Sequence, residues 1–115
     1  MNNGGAQTLQ SYGVAADGVP AEVRAAFARA LPPRHLAFLD GLPLHHAEGD
    51  YLFVHAGIRP GIPLARQAAP DLLWIRDLFL QSPADHGMVV VHGHTPVPEP
   101  EIRPNRIGID TGAFA

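Results

Sequence analysis

Apolar residues recur along this chain at two spacings, and each spacing predicts a different kind of element. Tyr51-Leu52-Phe53-Val54 and Met88-Val89-Val90-Val91 are unbroken apolar runs rich in β-branched and aromatic residues, the pattern of strands buried on both faces. Val23, Phe27 and Leu31 instead recur at helical spacing, with Glu22, Arg24 and Arg29 off the stripe. Gly18-Val19-Pro20 opens that helix and Pro32-Pro33 ends it. A second short helix is predicted from about Pro33 to Asp40, burying Leu36 and Leu39 and stopping at Gly41 in a left-handed cap.

Strands are predicted over Leu42–Ala47 and Asp50–His55, joined as a hairpin across Glu48-Gly49. A proline-punctuated loop follows, with a helical turn at Leu64–Gln67 as its one option for regular structure. Asp71 to Leu80 reads as a short helix, apolar nearly all round and hence largely buried, with Arg76 and Asp77 as its charged interior positions. After a loop through Pro83 and Gly87 comes the strand leading to His92. VPEPEIRPN is then a surface connection to a last strand at Arg106–Asp110. Helices interleaved with strands give an α/β class. At 115 residues one domain is expected, and neither a repeat nor a linker divides it.

Composition narrows the function classes. A net charge of −3, with acids and arginines scattered, offers no electrostatic footprint for nucleic acid. With no cysteine there is no disulfide framework and no thiolate metal site. No apolar stretch is long enough for a membrane span, and MNNGGAQTLQ lacks the features of a signal peptide, so a cytoplasmic location is expected.

Candidate chemistry lies where two strands end. Phe53-Val54-His55-Ala56-Gly57 and Val91-His92-Gly93-His94-Thr95-Pro96 each set histidine where an apolar run gives way to glycine. Strand C-terminal ends are where ligand sites of α/β folds gather. One such histidine is more often a packed, hydrogen-bonded residue than a ligand. Two endings of this kind suggest one shared site. His92, two residues from His94 on a strand, could share its face. Asp110 could orient a ligand imidazole or cap the turn at Thr111-Gly112. Arg76 could fork two phosphate oxygens or pair with Asp71 or Asp77 on the surface. His45 and His46 are adjacent on a strand and point to opposite faces, so both read as surface or packing residues. His35 and His86 read as solvated, Trp74 as core, and Arg59 as an exposed arginine.

These segments resemble the calcineurin-like metallophosphoesterases, and among them the bacterial serine/threonine phosphoprotein phosphatases. His55 in FVHAGIRPG resembles that family's VHAG or LHGG metal histidine, and His94 in HGHTP resembles its GHT metal histidine. LLWIRD, with Arg76, resembles the LLW-x-R segment whose arginine grips the substrate phosphate. Asn3-Gly4-Gly5 with Thr8, Ser11, Tyr12 and Gly13, and the tail Ile109-Asp110-Thr111-Gly112-Ala113, resemble further stretches in the right order. The family's GDxHG, GDxxDRG and GNHE motifs do not occur here.

The resemblance therefore implies the C-terminal half of a layered α/β/β/α sandwich with a mixed sheet, with a helical lobe at 1–41 and the metal-site half at 42–115. It implies a dinuclear centre of manganese, iron or zinc in which His55 and His94 hold the same ion, with His92 and Asp110 behind them and Arg76 on phosphate. The implied activity is hydrolysis of phosphoserine or phosphothreonine esters by metal-bound hydroxide. A dinucleoside polyphosphate hydrolase and a non-catalytic fragment or subunit are the alternatives. Self-association, or pairing with a chain carrying the other half, is the implied way of completing the site.

Overall fold

A computed structural model describes residues 3–115; Met1 and Asn2 lie outside the described residues. The chain divides into two compact units, Met1–Leu42 with Phe114–Ala115, and Pro43–Ala113.

Among the described residues the first unit holds three helices, α1 (Gly5–Ser11), α2 (Pro20–Ala30) and α3 (Pro33–Asp40). Proline in the first turn starts α2 and α3 where the sequence predicts, because its fixed φ suits a helix and its missing N–H would have no partner there. Leu9, Val14 and Val23 form a small core with Tyr12 and Phe27 against it. Helix α1 falls in a stretch whose apolar pattern predicts no element. Burial of Leu36 and Leu39 is overturned: both are exposed, and α3 buries no side chain. Gly41 is not left-handed either. Its φ is −83°, and its N–H continues α-helical bonding to the Ala37 carbonyl, so the chain leaves α3 without needing a left-handed residue. His35, expected to be solvated, meets the Tyr12 hydroxyl through Nδ1 at 2.8 Å.

The second unit is a five-stranded mixed sheet in the order β1-β2-β3-β5-β4, formed by β1 (His45–Glu48), β2 (Tyr51–Val54), β3 (Val89–His92), β4 (Glu101–Ile102) and β5 (Arg106–Gly108). β2, β3 and β5 are parallel; β1 and β4 are antiparallel edges. The hairpin turns at Gly49, whose φ of 56° is the left-handed conformation glycine adopts freely. β4, only two residues long, arises inside the segment expected to be an irregular connection.

The expected helix over 71–80 is two: α4 (Ala69–Trp74) and α5 (Asp77–Leu80), separated at Ile75-Arg76, where Arg76 has φ −129° and ψ −110°. Leu72, Ile75 and Phe79 turn inward and join Leu52, Val54, Ala56, Ile58 and Val90 in one core. Trp74 and Leu78 turn outward, so this segment is not buried all round as its composition suggests. Nor is β2 buried on both faces. Leu52 and Val54 lie in the core, while Tyr51 and Phe53 are exposed. On the exposed side Phe53, Val91, Ile107 and Ile102 share a row across the strands. No helix among the described residues is long and apolar enough to cross a membrane.

Candidate metal centre

Parallel pairing brings the ends of β2 and β3 to one edge of the sheet, and the two motif histidines come with them. His55 directly follows β2 and is exposed. The Gly93 N–H, just past β3, donates to the His55 carbonyl at 2.8 Å and ties the two ends together. Beyond it, His94 has φ 65°, the one non-glycine residue with positive φ among the described residues. Thr95 N–H closes a three-residue turn across it by donating to the Gly93 carbonyl at 2.7 Å. A γ-turn with positive central φ is the rare, strained kind, costing about 1–3 kcal/mol at a non-glycine residue, and such strain collects at functional sites.

The turn sets the His94 ring 5.0 Å from that of His55, centroid to centroid, with the planes tilted by 58°. Trp74 meets His94 edge-on at 5.5 Å while remaining 69% exposed, so this tryptophan is a wall of the site and not core as expected. His94 Nε2 is buried and, among the described residues, has no hydrogen-bond partner. Burial, reinforced by the charges of Arg76 and His55, pushes the His94 pKa down, against smaller opposing effects of Asp110 and the Trp74 backbone. A neutral imidazole with an unsatisfied nitrogen is the ligand form of histidine.

Arg76 sits in the break between α4 and α5, exposed and in no ion pair among the described residues. The surface alternative for it does not form with Asp71, which is taken by Arg59 Nε at 2.9 Å. That pair raises the Arg59 pKa and lowers that of Asp71, chiefly through the hydrogen bond itself. Arg59 is thus an exposed structural arginine, bound further to Gln67. Asp110 caps a turn: its Oδ1 accepts the Gly112 N–H at 2.9 Å, and its carboxylate reaches His94 through its field alone.

His92 turns away from the histidine pair. It is 2% exposed, stands edge-on to Phe79 at 5.0 Å and lies 3.1 Å from Arg106 Nη1. Arg106, 6% exposed, is the residue that sequence reasoning missed; an arginine at the start of a short strand carries no sign that it will be buried. His46 is exposed and pairs with Glu48, and His45 packs with Nδ1 buried. His86, expected to be solvated, packs against Phe79 at 5.6 Å, and burial pushes its pKa down.

Models of known protein families and curated proteins give no match to this chain. Among the described residues no group of three or more His, Asp or Glu is placed to hold a metal ion. The donor set therefore suits part of an ion's coordination: two imidazoles, one with a free buried nitrogen, and a cation alongside for an anionic ligand.

Proposed function

We propose that this chain contributes two metal ligands, His55 and His94, and a phosphate-binding residue, Arg76, to a metal-dependent phosphoesterase acting on phosphoserine or phosphothreonine. The observation that carries the proposal is the strained turn at His94, which holds a partnerless buried nitrogen beside the His55 ring. Two divalent ions, manganese in the first instance, would supply such a centre with a water of lowered pKa and neutralise phosphoryl charge. The chain's own part is to hold two neutral imidazoles on one ion and to offer an unpaired guanidinium fork to phosphate oxygens.

On this reading the carboxylates of the centre come from a second copy of this chain or from a partner chain carrying the other half. The exposed apolar side of the sheet, with Tyr51, Phe53, Ile102 and Ile109, fits a second layer that would carry them and complete a layered sandwich. Absence of a third ligand among the described residues favours a second reading, a non-catalytic subunit that keeps the fold. A cytoplasmic location fits either.

The test is manganese-dependent hydrolysis of an aryl phosphate by this chain. His55→Ala and His94→Ala are each expected to remove the metal-dependent rate. Arg76→Lys should keep metal binding and lower kcat/KM roughly tenfold or more, because an ammonium cannot reproduce the bidentate fork. A rate that persists in both histidine variants contradicts the assignment. A chain that binds manganese through both histidines without hydrolysis supports the non-catalytic reading.

A further inference from the structure

Gly93 is the junction of the candidate centre. Its N–H donates to His55, and its carbonyl accepts the Thr95 N–H that closes the turn presenting His94. The same carbonyl lies 3.2 Å from His92 Nδ1. The sense of that contact is fixed by the other side of the ring. Arg106 Nη1 is 3.1 Å from His92 Nε2, and a guanidinium has only donors and keeps its charge. Nε2 is therefore the acceptor, and a neutral His92 carries its proton on Nδ1, from which it donates to the Gly93 carbonyl. Arg106 is anchored in turn, with Nε donating to the Leu80 carbonyl at 3.1 Å and Nη2 bonded to Glu101. Glu101 on β4, Arg106 on β5 and His92 on β3 thus form a continuous polar chain across three strands, ending at the peptide that precedes His94.

We infer that this chain is a brace, with Arg106 and His92 as positioning residues that fix the Gly93 carbonyl and so hold the strained His94 turn in its ligand geometry before any metal binds. The inference rests on the proposed function only in calling His94 a ligand. A positive φ at a non-glycine residue persists only where its surroundings over-determine it. Here the determinant is a hydrogen-bond chain, buried at the Arg106–His92 link and part-buried elsewhere, whose every link has a defined direction. Groups of this kind behind a metal ligand typically govern affinity by tenfold or more.

Two measurements test it. In the metal-free protein, long-range proton–nitrogen NMR of His92 is expected to show the Nδ1–H tautomer; an Nε2–H tautomer overturns the brace. Next, His92→Leu removes the donor, whereas His92→Asn places an amide nitrogen close to where Nδ1 stood. At a temperature where both variants are folded, His92→Leu should lose the Overhauser contact between the His55 and His94 rings and bind cobalt roughly tenfold more weakly. His92→Asn should restore most of both. Identical behaviour of the two variants overturns the positioning role, since a merely structural residue gives no rescue by a shared donor. If His92→Leu does not fold, the tautomer decides alone. If the wild-type protein fails to bind cobalt, the phosphoesterase proposal fails while tautomer and ring contact still decide the brace.

Discussion

Replacing Gly57 with alanine is expected to destabilise the sheet unit by about 3 kcal/mol or more. Gly57 has φ +152°, which side-chain-bearing residues seldom adopt, and a methyl group there would lie 2.3, 2.6 and 2.8 Å from three ring carbons of Phe79. Phe79 has nowhere to go. It is fully buried in the core and packs edge-on against His92 at 5.0 Å. Overpacking and backbone strain therefore add, against a total stability of about 5–15 kcal/mol for an ordinary domain. Chemical denaturation of Gly57→Ala should show the loss as a lower midpoint. Combining it with Phe79→Leu should cost at least about 1 kcal/mol less than the sum of the single changes, because the smaller side chain relieves the clash. A Gly57→Ala protein as stable as wild type would refute this packing.

Arg106→Leu should cost about 3 kcal/mol. Removing the guanidinium leaves the Leu80 carbonyl, His92 Nε2 and Glu101 without their shared donor. The same variant carries a pH signature. The Arg106 hydrogen bond is the largest influence holding the Glu101 carboxyl below its usual pKa, with Arg103 adding a smaller one. A carboxyl lowered in the folded state contributes stability above its unfolded pKa, and that contribution is lost as pH falls through the folded value. Thermal unfolding of the wild type should therefore weaken below the usual carboxylate range. Arg106→Leu should be less stable at pH 7 and show a shallower acid loss, Arg103 leaving a remainder. An unchanged melting temperature at pH 7 would contradict the role given to Arg106.

The parts of the fold legible in the sequence are those that local chemistry decides. Pro20 and Pro33 announce helix starts, Gly49 a hairpin, and the Val-rich run of β3 a strand. What local pattern cannot show is which face another element covers. Tyr51 and Phe53 look like core and are exposed, because the core gathers on the Leu52 and Val54 side. Likewise the apolar run from Leu72 to Leu80 hides a break at Arg76, and that break lets Trp74 face outward beside His94. For the site, histidine within two residues of glycine at two strand ends singles out His55 and His94, whose ring centroids the structure sets 5.0 Å apart. The Arg106 and Glu101 supports depend on strand order, with β5 set between β3 and β4, and on a two-residue strand within a proline-rich segment. Nothing in the spacing of Glu101, Arg106 and His92 along the chain points to that meeting.

The central claim is that His55 and His94 act together on one divalent ion, and a manganese titration followed through the imidazole resonances of the seven histidines tests it most directly. Paramagnetic manganese at substoichiometric concentration is expected to broaden His55 and His94 first and together. The side chain of Trp74, 5.5 Å from His94, should follow, while His86 stays sharp. Broadening centred on the exposed His46–Glu48 pair, or spread evenly over all seven histidines, would contradict the account.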